Sequence, residues 1–90
     1  MRVCILDGRE IKDREMLHDV LASALGFPDW YGRNLDALYD CLTDAGEGTE
    51  ICLLHENALV EHLGGYTKAL VKVMEEAAAE NPGIIWKKED

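Results

Sequence analysis

Apolar residues are grouped along the chain in short blocks that alternate between unbroken runs and helical stripes. Val3-Cys4-Ile5-Leu6 is unbroken and closes on Asp7-Gly8, which predicts a short strand buried on both faces and then a turn. Leu17, Val20, Leu21, Ala24 and Leu25 fall at helical spacing, with Asp13 suited to the N-cap and Gly26 and Pro28 marking the end. After the turn Phe27-Pro28-Asp29-Trp30-Tyr31-Gly32, Asn34 heads a shorter helix whose Leu35, Leu38 and Leu42 make a narrow stripe, ended by the loop Gly46-Glu47-Gly48-Thr49. Ile51-Cys52-Leu53-Leu54 reads as a second buried strand, and Ala58 to Leu63 as one short helix stopped by Gly64-Gly65. The longest helix begins near Thr67, buries Leu70, Val73, Met74 and Ala77, and closes at Asn81-Pro82-Gly83. Ile84-Ile85-Trp86 forms a third strand before a charged tail. This order predicts an α/β fold: a small three-stranded parallel sheet with about four helices, in one domain spanning residues 1–90.

Composition narrows what such a domain can do. The 90 residues carry 18 Asp and Glu against 9 Lys and Arg, a formal charge of −9, so direct binding to nucleic acid is not expected. No apolar run approaches the roughly 20 residues of a membrane span, and the opening run is too short for a signal peptide. The expectation is therefore a cytoplasmic protein with no membrane partner. Cys4, Cys41 and Cys52 are odd in number, widely spaced and set in apolar stretches, which favours buried reduced thiols over zinc or redox chemistry. A disulfide among them stays open. His55 and His62, seven apart, and Cys52, three before His55, match no common zinc spacing, so no metal site is expected. Gly46-x-Gly48 precedes a strand instead of following one, the wrong place to cradle a phosphate. No cofactor and no catalytic residue are expected.

The anomaly is the second helix. Asp36 and Asp40 form an i,i+4 like-charge pair opposite Leu38 and Leu42, an arrangement that weakens a helix by a few tenths of a kcal/mol. Asp36 complements the helix dipole from the first turn, whereas Asp40 and Asp44 lie toward the C-terminal end, where carboxylates are unfavourable. From Asp36 to Glu50 there are five acids, Asp36, Asp40, Asp44, Glu47 and Glu50, and no Lys or Arg. Glu76 and Glu80 repeat the pairing on the last helix, and if the two faces adjoin they form one negative patch. A solvated charged face is the ordinary meaning of such acids. Trp30, Tyr31 and Tyr39 flank the same helix, however, and aromatic anchors beside carboxylates have the composition of a binding hot spot. One of Trp30 and Tyr31 is expected to pack inward.

The segment Phe27-Pro28-Asp29-Trp30-Tyr31-Gly32-Arg33-Asn34-Leu35-Asp36-Ala37-Leu38-Tyr39-Asp40-Cys41-Leu42-Thr43 closely resembles the signature of the barstar family of intracellular ribonuclease inhibitors. The likeness extends to the order of elements over nearly the whole chain. It implies a two-layer barstar-like fold and an inhibitor that inserts the second helix and its preceding loop into a ribonuclease active site. On the matching positions Asp40 would stand in for a substrate phosphate and Asp36 would pair with basic groups beside it. Trp30, Gly32, Asn34, Tyr39 and Thr43 would make contacts around them, with Glu76 at the edge. Three departures bear on partner choice: Arg33 puts a cation next to the carboxylates where an acid is familiar, Tyr39 replaces a Trp, and Ala45-Gly46 lacks an aromatic.

The leading expectation is a stoichiometric inhibitor of a basic, barnase-like extracellular or toxin ribonuclease, monomeric when free. The alternative is an acidic interaction module that docks on some other basic protein without blocking catalysis. A third reading, an enzyme using Asp36 and Asp40 as an acid/base pair, needs a cleft that a domain of this size seldom has.

Overall fold

Parallel strands cannot be joined by a tight turn and need a long return between them, usually a helix. The chain supplies two such returns. In the computed structural model, which describes residues 1–44 and 48–89, the order is β1 (Arg2–Asp7), α1 (Arg14–Leu25), α2 (Leu35–Thr43), β2 (Thr49–Leu54), α3 (Glu56–Leu63), α4 (Tyr66–Glu80) and β3 (Ile84–Glu89). The three strands form one parallel sheet in the order β1-β2-β3, with Cys4 opposite Ile51 and Ile51 opposite Trp86. The α/β architecture expected from the sequence is thus the one observed.

Burial alternates along β1, which corrects the expectation of a strand covered on both faces. Cys4 and Leu6 are sealed in the core, whereas Val3 and Ile5 are 51% and 50% exposed. The reason is topological. α1 packs on β1 and α4 on β3, while α2 and α3 lie against α4. The inward residues Cys4, Leu6, Ile51, Leu53 and Ile84 share one core with Leu17, Leu21, Leu38, Leu42, Leu70 and Met74. Among the described residues, the opposite face of the sheet leaves Val3, Ile5 and Ile85 exposed.

Local chemistry sets the helix ends. The Asp13 carboxylate accepts from the Met16 amide at 2.8 Å and caps α1, and Gly26 ends it in the left-handed conformation at φ 67°. The α3 helix starts at Glu56, two residues before the expected Ala58, because His55 turns the chain in a left-handed conformation at φ 55°. At the far end of α4, the Asn81 side chain accepts from Gly83 at 2.9 Å and donates to the Leu42 carbonyl at 3.0 Å, fastening α4 to the end of α2.

The tail expected after Trp86 is instead strand. Lys87, Lys88 and Glu89 continue β3 against Cys52, Leu53 and Leu54. Lys87 pairs with Glu50 at 3.8 Å and Lys88 with Glu56 at 3.6 Å. Charges on an edge strand also discourage pairing with other chains. All three cysteines are free, but Cys41 is only half-buried, unlike Cys4 and Cys52. Burial pushes the Cys4 thiol up to about 11.

Candidate functional site: the acidic face of the second helix

Packing against the core orients α2. Leu38 and Leu42 are buried, which turns Asp36, Asp40 and Asp44 outward, all exposed. Asn34 caps the helix by accepting from the Ala37 amide at 2.8 Å, and its amide group donates to the Gly32 carbonyl at 3.2 Å. These bonds stiffen the junction of loop and helix. Gly32 fits there because an added Cβ would lie 3.1 Å from the Ala37 Cβ, tighter than ordinary contact.

Because α2 lies on α4, the two acidic faces do adjoin. Asp36, Tyr39 and Asp40 line one groove together with Leu35, Val73 and Glu76. Glu80 is not among the residues lining it. Asp40 also borders a second hollow with Trp30, Cys41, Thr43 and Asp44. Asp40 thus lies at the meeting of two hollows, one lined by Trp30 and the other by Tyr39. The sequence-expected set divides accordingly: Trp30, Asp36, Tyr39, Thr43 and Glu76 line the two hollows with Asp40, whereas Gly32 and Asn34 shape the backbone that leads to them. Thr43 donates its hydroxyl to the Tyr39 carbonyl at 2.9 Å, so its oxygen is left as an acceptor.

The choice between the adjacent aromatics is clear. Tyr31 is 6% exposed and Trp30 83% exposed. Holding an indole in water forgoes the burial that would stabilise the fold, and such a ring is available to anchor a partner. Glu50, by contrast, lies across the sheet in its pair with Lys87 and takes no part in the α2 face. Ala45, Gly46 and Glu47, which entered the expected loop, acidic run and departures, lie outside the described residues.

One residue that sequence reasoning passed over, His18, holds this loop. His18 is buried, with Nδ1 2.6 Å from the Tyr31 hydroxyl and Nε2 2.8 Å from the Tyr66 hydroxyl. Arg14 covers the Tyr66 ring at 4.2 Å. The bridge links α1, the loop and α4. Desolvation, helped by the nearby Arg33 charge, holds the imidazole below its ordinary value, so it is neutral at pH 7. A neutral imidazole donates from one nitrogen and accepts at the other, and each hydroxyl can do either. The signal was present: His18 stands three before Leu21 and seven before Leu25, on the apolar stripe. Arg33 is the other surprise. Its guanidinium turns back onto α1, bonding the Asp19 carboxylate and the Glu15 carbonyl, away from Asp36 and Asp40. It is not the cation beside the carboxylates that its position in sequence suggested.

Elsewhere the polar groups serve the scaffold. His62 Nδ1 donates to the carbonyls of Gly8 and Ile11, at 3.0 and 2.8 Å. Among the described residues no three His, Cys, Asp or Glu side chains gather where a metal could bind. No helix of the described residues is long and apolar enough to cross a membrane.

The family described as Barstar (barnase inhibitor) matches residues 1–87. YrdF of Bacillus subtilis (strain 168), provisionally named a ribonuclease inhibitor, is 44% identical over 82 residues, which cover 89% of each chain.

Proposed function

The chain belongs to the barstar family, and on that premise we propose that it is a stoichiometric inhibitor of a basic microbial ribonuclease. The whole chain acts as one inhibitor domain in the cytoplasm, guarding a bacterial cell against a secreted or toxin nuclease of barnase-like type. In this reading it inserts α2 and the 30–34 loop into the enzyme's active site. Asp40 occupies the place of a substrate phosphate among catalytic cations, and Asp36 pairs with basic groups beside it. Trp30 and Tyr39 pack on either side, Gly32, Asn34 and Thr43 complete the contact surface, and Glu76 extends it along α4. The protein performs no turnover and needs no cofactor.

One observation carries the reading: Asp36, Asp40 and Glu76 converge on one groove, on two helices that the core holds rigid. A ribonuclease must be basic where it holds RNA phosphates, so such a face is complementary to it and also attracts it from a distance. Because the helices that carry the carboxylates are packed before binding, little backbone ordering is needed on association. Titrating barnase with the purified protein tests this directly. RNA cleavage should fall linearly to zero at one inhibitor per enzyme, and undiminished cleavage at excess inhibitor would reject barnase as a target.

A further inference from the structure

The loop that precedes α2 contains an oddity in its backbone. Arg33 has φ 56°, in the left-handed region, although it lies between Gly32 and Asn34, the two residue types that tolerate that region best. Gly32 is not among the positive-φ glycines. A non-glycine residue persists there when its surroundings over-determine it. For Arg33 the surroundings are known: its guanidinium bonds both the Asp19 carboxylate and the Glu15 carbonyl on α1. Two residues earlier, the Tyr31 hydroxyl is held by His18 on the same helix.

We infer that Arg33 is a positioning residue, a tether that fixes the 30–34 loop to α1 and thereby sets the presentation of Trp30 and the Asn34 cap to the partner nuclease. The tether also settles the electrostatics. Pairing with Asp19 cancels the Arg33 charge locally, so the loop carries a guanidinium without opposing the carboxylates of α2. Both bonds leave one guanidinium nitrogen, Nη2, so a single point of the side chain holds two acceptors on α1. The part of the inference that concerns affinity rests on the inhibitor reading; the part that concerns the loop does not.

The test separates the two. Amide hydrogen exchange is measured on the wild type, Arg33→Gly, Asp19→Ala and the double variant, followed by dissociation from barnase. The reporters are the Tyr31 amide, which donates to the Pro28 carbonyl at 3.0 Å, and the Ala37 amide, which donates to Asn34. Each single variant should quicken exchange at both by about two- to five-fold, the worth of an exposed ion pair, with amides of α4 unchanged. The double variant should be no faster than either single one. Arg33→Gly relieves the backbone strain while cutting the tether, so its melting temperature should stay within about 2 °C of wild type while dissociation from barnase quickens. A merely structural role would move stability and dissociation together. Unchanged exchange at both amides, or fully additive effects in the double variant, overturns the inference. Quickened exchange with unchanged dissociation overturns its affinity part. Quickened exchange beside a wild type that does not bind barnase supports the tether and counts against barnase as the target.

Discussion

Mild acid should loosen this fold through His18. In the native state the imidazole is enclosed between two tyrosine hydroxyls, and desolvation lowers its proton affinity, with Arg33 adding to the effect and Asp19 opposing it. In the unfolded chain the same group titrates near 6.5. Below that pH the unfolded state binds a proton that the native state refuses, so stability falls as pH falls. The contribution of His18 is complete above pH 6.5 and declines until the pH passes below the native value. The slope within that window is at most about 1.4 kcal/mol per pH unit, the limit for one proton bound only by the unfolded chain. In a domain of this size each 1 kcal/mol lost lowers the melting temperature by about 4–8 °C. Urea denaturation at pH 7.5 and 5.5, on the wild type and on His18→Gln, reads the effect. The wild type should lose the larger amount. If both proteins lose the same, or if the wild type gains, the reasoning fails. Should His18→Gln not fold, NMR titration of the imbedded imidazole in the wild type gives the native value directly.

Other consequences are smaller in scope. Asn34→Ala removes the α2 cap and should cost about 1 kcal/mol in chemical denaturation. The Thr67 hydroxyl is buried with no partner among the described residues, so Thr67→Val should be neutral or stabilising by up to about 1 kcal/mol. A thiol reagent should label Cys41 in the native protein, slowly because burial and the Asp40 and Asp44 charges raise its pKa, while Cys4 reacts only on unfolding. Mass spectrometry after timed labelling tells the two apart.

Much of this molecule can be read from residue order because local signals and tertiary packing agree. Asp13, Gly26 and Asn34 cap helices as their chemistry predicts. The acids of α2 face outward because Leu38 and Leu42 are spaced to face inward. Where pairing partners decide, residue order is silent. Val3 and Ile5 read as a buried run, but which face of a strand is covered depends on the side taken by both helical returns. Lys87 to Glu89 read as a solvated tail, yet backbone pairing with β2 makes them strand, whatever their side chains. Arg33 illustrates the same limit at the site. Its charge is plain in the sequence, while its direction is set by Asp19, 14 residues away on another helix.

The central claim is that a phosphate-like contact by Asp40, and not diffuse charge, engages the nuclease. Asp40 lies on α2 and Asp44 caps its C-terminal end, both exposed, and removing either changes the net charge equally. Binding of barnase to Asp40→Ala and Asp44→Ala, measured side by side, therefore isolates the contact. The account predicts that Asp40→Ala loses about 2–5 kcal/mol, as expected when a charge is left unpaired in a sealed interface, whereas Asp44→Ala loses at most about 1 kcal/mol, as for a charge at the rim. Equal losses from the two substitutions would contradict it.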